Sequence, residues 1–100
     1  MMHIEKIKEG GRLTVALEGR MDAGSALQLD ELLKSEIDSV TDLTIDLEKL
    51  IYTSSAGLRV LLGAQKAMNK RGSMAIRNVR RDIMEIFDMA GFSKLLNIED

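Results

Sequence analysis

Apolar residues recur along this chain at two different periods, and the changes of period mark out its elements. From Arg12 to Glu18 the alternation is clean, with Leu13, Val15 and Leu17 on one side and Arg12, Thr14, Ala16 and Glu18 on the other. That period of two belongs to a half-buried strand, which Gly19 is expected to end. Ile4 to Lys8 reads as a shorter strand before it, joined through the turn signal Gly10-Gly11. Between Ala23 and Val40 the period lengthens. Ala26, Leu29, Leu33, Ile37 and Val40 step by three and four, with Leu27 and Leu32 widening the stripe. An amphipathic helix follows, and Asp22 stands where its carboxylate can cap free backbone N–H groups.

Alternation returns at Leu43, Ile45 and Leu47, opposite Thr44 and Asp46. Leu50 to Tyr52 lies beyond, either extended or in a loop. Ser54 or Ser55 then opens a second helix reaching about Lys70, with Leu58, Leu61, Leu62, Gln65 and Met68 at helical spacing and Gly72 as its stop. Met74 to Val79 reads as a strand. Arg80 to Ala90 reads as a third helix, with Ile83, Ile86, Phe87 and Ala90 on one face and Gly91 at a left-handed C-cap position. Leu95, Leu96 and Ile98 form a last short strand or a docked tail. The order β-β-α-β-α-β-α-β predicts an α/β fold. It has a mixed sheet of four to five strands, parallel after an opening hairpin, with about three to four helices packed against it.

Composition narrows the chemistry. One hundred residues, 45% of them apolar, make one domain spanning residues 1–100 and allow a real core. With no Cys there are no disulfides, thiolate metal sites or cysteine nucleophiles. His3 is the only histidine and lies at the terminus, so no serine triad has its base. Neither phosphate-cradling glycine motif occurs, and the acids do not follow metal-loop spacing, so no cofactor and no catalysis are expected. No segment has the apolar length of a signal or a membrane span, so a soluble chain is expected, which fits a cytoplasmic one.

The net charge of −2 is uneven in its layout. Eight acids lie between Met21 and Glu48 against Lys34 alone, whereas Lys49 to Arg81 contains no acid. This is either a pair of solvated faces of opposite sign or a basic patch for an acidic partner. Aromatic platforms for stacking bases are missing from the basic stretch, so no direct nucleic-acid binding is expected.

The segment Asp46-Leu47-Glu48-Lys49-Leu50-Ile51-Tyr52-Thr53-Ser54-Ser55-Ala56-Gly57-Leu58-Arg59-Val60-Leu61-Leu62 runs a strand into a hydroxyl cluster that opens a helix. One hydroxyl suffices for a cap. The others are free for modification or binding, at a helix end that tolerates a phosphate. Ala56 and Gly57 leave the backbone open to close approach by another molecule.

The same segment resembles the phosphorylation-site region of bacterial anti-sigma factor antagonists, also called anti-anti-sigma factors, which are single STAS domains. Asp46-Leu47, Leu50, Tyr52, Gly57-Leu58 and Val60-Leu61 match that pattern, which runs roughly D-L-x-x-[VL]-x-[FY]-[MI]-D-S-[ST]-G-L-x-V-L. Gly19-Arg20-Met21-Asp22 resembles the family's G-x-[LM]-D, and Ile83 through Ile98 resembles its last helix and tail. The register puts Ser55 on the phosphorylated serine, with Ser54 as second choice. Two departures matter: Ser54 replaces the usual Asp, and Ala56 the following Ser or Thr.

The resemblance implies a cytoplasmic partner-switching regulator that is monomeric when free. Unphosphorylated, it sequesters an anti-sigma factor that is also a serine kinase of the histidine-kinase-like ATPase type. Phosphorylation on Ser55 releases that partner, and a PP2C-type phosphatase resets the chain. The implied contact surface is Asp22, Thr53, Ser54, Ser55, Gly57, Leu58, Arg59 and Leu62, with ATP bound by the kinase. The alternative is a STAS-type scaffold subunit of a transport or stressosome-like complex, without phosphoswitching.

Overall fold

A computed structural model describes residues 2–99. Strand β1 (Met2–Glu9) and β2 (Arg12–Met21) form an antiparallel hairpin, followed by α1 (Ala23–Glu36), a single 3-10 turn (Ile37–Ser39) and β3 (Asp42–Thr53). Then come α2 (Ser55–Asn69), β4 (Ser73–Arg77), α3 (Arg81–Met89) and β5 (Ile98–Glu99). The sheet order is β1-β2-β3-β4-β5, with every pairing after the hairpin parallel. The expected mixed α/β architecture is therefore present among the described residues, as five strands and three α-helices.

Because successive parallel strands step in one direction across the sheet, right-handed crossovers put their helices on the same face. Burial agrees with this geometry. Leu13, Val15 and Leu17 of β2, Leu43, Ile45 and Leu47 of β3 and Met74 and Ile76 of β4 are buried under Ala26, Leu29 and Leu33 of α1, Leu58, Leu61 and Met68 of α2, and Ile83 and Phe87 of α3. The alternate positions Thr14, Glu18, Ser73 and Arg77 line the uncovered face.

Four element boundaries differ from the sequence expectation, each for a local reason. Strand β2 does not stop at Gly19, which takes φ +100° and lets the strand continue to Met21. Strand β3 is one element through Leu50–Tyr52, because its pairing with β2 slips twice, between Ala16 and Glu18 and between Gly19 and Arg20. The extra residues make Leu47 and Leu50 both core residues although they are three apart. Asp46 braces the first slip, its Oδ1 accepting the Glu48 N–H at 3.0 Å and the Asn78 side-chain amide at 3.0 Å. Helix α1 ends at Glu36, so Val40 is buried from beyond the 3-10 turn, and Leu27 lies off the buried stripe at 57% exposure. Strand β4 ends at Arg77, where Asn78 turns the chain with φ +59°. Gly91 is left-handed as expected, with φ +77°.

The C-terminal tail docks through a buried glutamine. Gln65 accepts the Asn97 N–H at 3.0 Å, and the Asn97 side chain donates to the Met74 carbonyl at 2.9 Å. At the opposite end of the sheet, Lys6 and Lys8 of β1 both reach Glu36 at the end of α1. The charge layout is partly neutralised within the fold, since Arg71 of the basic stretch pairs with Asp38 of the acidic one.

The Lys6 and Lys8 ammonium groups hold the Glu36 carboxyl below the ordinary carboxylate range. The unfolded chain therefore takes up this proton more readily than the folded one. The stabilisation is complete above the unfolded value, about 4, and is lost as pH falls through the lower folded value. In urea titrations, the unfolding midpoint of the wild type should fall on acidification below about pH 4. Glu36→Gln should flatten that acid limb while removing stability at neutral pH, whereas an unchanged limb would remove Glu36 from the account.

Candidate functional site

The site lies where β2 and β3 end side by side. Met21 and Thr53 are register partners, and the Ser54 N–H donates to the Met21 carbonyl at 2.8 Å. The next residue of each strand is a helix cap, Asp22 for α1 and Ser54 for α2. Two helix N-termini thus open together at the carboxyl edge of parallel strands, the usual position for a functional site on an open α/β sheet.

Asp22 closes a capping box. Its Oδ1 accepts the Ser25 N–H at 2.9 Å, and the Ser25 hydroxyl accepts the Asp22 N–H at 2.9 Å. Hydrogen bonds from the Ser25 backbone and hydroxyl hold the carboxyl below its ordinary range, so Asp22 is a fixed negative charge at neutral pH. Ser54 caps α2, its Oγ accepting the Gly57 N–H at 3.2 Å. The adjacent hydroxyls thereby divide the work. Ser54 is half-buried and occupied, whereas the exposed Ser55 hydroxyl makes no hydrogen bond among the described residues.

Ser55, Arg59 and Leu62 follow one another at four and three residues along α2 and share one outward stripe, Leu62 half-buried and the other two exposed. Thr53, Gly57 and Leu58 do not belong to that surface, being buried at 3% exposure for Thr53 and 4% for Leu58. The space beside Gly57 serves this chain itself. A Cβ there would sit 2.5 Å from the Thr53 Oγ1 and 2.7 Å from the Met21 Cε, because the first turn of α2 presses directly on the strand ends. The expectation that Gly57 leaves room for another molecule is corrected accordingly: Thr53, Gly57 and Leu58 support the serines from beneath.

Valine at position 57 should cost roughly 2–3 kcal/mol, because the stiff Thr53 side chain and the Met21 stem cannot both move aside. A thermal melt of Gly57→Val tests this; a wild-type melting temperature would show that α2 does not need its close seat.

Arg20 and Tyr52 were not singled out as a pair by the sequence. They are register partners one residue before Met21 and Thr53, and the Arg20 guanidinium stacks over the Tyr52 ring at 4.4 Å from its centroid. Each stands two residues before a helix cap, and Tyr52 also fills the aromatic position of the family pattern, but nothing in the sequence pairs them. Among the described residues, no group of three or more His, Cys, Asp or Glu side chains could hold a metal ion. No helix among the described residues is long and apolar enough to cross a membrane.

The sequence profile of the STAS domain matches residues 3–100, and the chain belongs to that family. Its relatives narrow the comparison. The chain is 30% identical over 104 residues to the anti-sigma F factor antagonist of Paenibacillus polymyxa, covering 99% of this chain and 87% of that one. It is 29% identical over 99 residues to the putative anti-sigma factor antagonist BtrV of Bordetella bronchiseptica, covering 97% and 85%. The fold is that of the Bacillus anti-sigma factor antagonist SpoIIAA. Its unphosphorylated form superposes with TM-score 0.82 at 17% identity, covering all of this chain and 89% of that one, and its phosphorylated form with TM-score 0.77.

Proposed function

We propose that this chain is an anti-sigma factor antagonist whose grip on its partner is switched by phosphorylation of Ser55. Unmodified, it holds an anti-sigma factor that is also a serine kinase of the histidine-kinase-like ATPase type, and so frees a sigma factor. The observation that carries this reading is the division of labour at the head of α2. Ser54 satisfies the helix cap, leaving the neighbouring Ser55 hydroxyl exposed and without an intrachain hydrogen bond. Relatives named as anti-sigma factor antagonists support the partner class, and the solved phosphorylated form of SpoIIAA supports the type of switch.

The kinase partner supplies ATP and a base. The Ser55 Oγ forms a bond to the γ-phosphorus as ADP leaves, and the hydroxyl proton passes to that base. The product carries about −1.5 to −2 charges at neutral pH. A PP2C-type phosphatase hydrolyses the ester and restores the binding form. Contact runs along Ser55, Arg59 and Leu62 of α2, with Asp22 and Ser54 at its margin and the buried Thr53, Gly57 and Leu58 holding the surface in shape.

Intact-mass analysis after incubation with ATP and the partner kinase, followed by peptide mapping, tests the assignment. One phosphate on Ser55, absent from Ser55→Ala, is expected. Phosphate on Ser54 or on neither serine would refute the assignment to Ser55.

A further inference from the structure

We propose that the phosphate on Ser55 is captured within the same helix by Arg59, so that one modification both adds a dianion and withdraws a guanidinium from the partner surface. The inference rests on the phosphorylation reading above and deepens it, by assigning Arg59 a second, phosphate-dependent role.

Three features of α2 converge on this pairing. Ser55 and Arg59 are both exposed and lie four residues apart on a continuous helix, which places their Cβ atoms about 5–6 Å apart. The anion stands N-terminal to the cation, the order that agrees with the helix dipole. Finally, the cation is available. Arg59 takes part in no ion pair among the described residues, and the first turn of α2 contains no acid.

The intervening residues keep the lane between the two groups clear. Ala56 offers only a methyl group, Gly57 has no side chain, and Leu58 is turned into the core. Nor is Asp22 paired with the arginine among the described residues; its Oδ1 accepts from the backbone and hydroxyl of Ser25. The guanidinium fork accepts a phosphate through two parallel N–H donors, a geometry that a lysine ammonium does not reproduce.

In the unmodified chain, Arg59 instead points its free donors toward the partner. Phosphorylation then acts twice on the complex, through the added charge and through the loss of this cation. An aspartate at position 55 has one charge on a shorter arm, so Ser55→Asp should imitate the phosphorylated state only in part.

The test uses the full chain with phosphoserine genetically encoded at position 55, so the phosphate is installed without a kinase. Phosphorus NMR would follow the phosphate titration in the wild type, Arg59→Gln and Arg59→Lys. The wild-type midpoint should lie about 0.3 pH unit or more below that of Arg59→Gln, given the usual strength of such pairs. Arg59→Lys should fall between them. Melting curves of the unphosphorylated variants should coincide, since Arg59 is on the surface. Equal midpoints in wild type and Arg59→Gln would overturn the pairing. The two readings fail separately. Equal midpoints with a phosphate-dependent loss of kinase binding would sink only the intrahelical pair, whereas separated midpoints with unchanged kinase binding would uphold the pair and sink the switch.

Discussion

Gly72→Ala should lower the stability of this chain by on the order of 3 kcal/mol, a large share of the roughly 5–15 kcal/mol typical of a domain. Gly72 follows α2 at the entry to β4, and its φ is not positive, so the constraint there is space. A Cβ would overlap the Thr41 carbonyl oxygen and lie 2.8 Å from its carbon. That backbone cannot retreat. Thr41 accepts the Ser73 N–H at 3.0 Å, and its own N–H donates to the Gly11 carbonyl at 2.8 Å. The clamp joins the starts of β2, β3 and β4, so relief of the overlap would disturb all three strands. Urea unfolding should show a much lower midpoint with an unchanged slope. Gly63→Ala is the internal control, because a Cβ there meets nothing within 4 Å. In mid-helix it should raise stability by about 0.5–1 kcal/mol. Similar midpoints for the two variants would argue against the Thr41 clamp.

The second large effect concerns affinity. Phosphorylation of Ser55 should weaken binding to the kinase partner more than a hundredfold, equivalent to about 3 kcal/mol. Two costs combine. A dianion must be desolvated in the interface, and its helix opens beside the strand end that carries the fixed charge of Asp22. Ser55→Ala should bind as tightly as the unmodified chain, because the exposed hydroxyl has no intrachain hydrogen bond to lose. Calorimetric titration of the kinase with each form reads both outcomes. Equal affinity of the alanine and phosphorylated forms would remove Ser55 from control of binding.

Much of this arrangement is legible in the order of residues. The alternation at Leu13, Val15 and Leu17, and again at Leu43, Ile45 and Leu47, marks strands with one buried face. The steps from Ala26 to Leu33 and from Leu58 to Met68 mark two helices that cover it. The serine pair is legible as well, because a helix start needs one capping hydroxyl and the chain supplies more. Less visible are effects created by pairing between strands. The slips in β3 bring Leu50 inward by breaking the alternation, so sequence alone leaves Leu50 to Tyr52 undecided. The burial of Thr53 and Gly57 is equally hidden, since it depends on how tightly the first turn of α2 seats on Met21. The Arg20–Tyr52 stack likewise exists only once β2 and β3 lie in register.

The most direct measurement starts from the purified complex of this chain with its kinase partner. ATP is added, and phosphate incorporation and dissociation are followed in the same sample. Release should track esterification of the Ser55 oxygen one for one, while a non-hydrolysable ATP analogue leaves the complex intact. A complex that persists with Ser55 fully modified, or that separates with Ser55 untouched, would contradict the account.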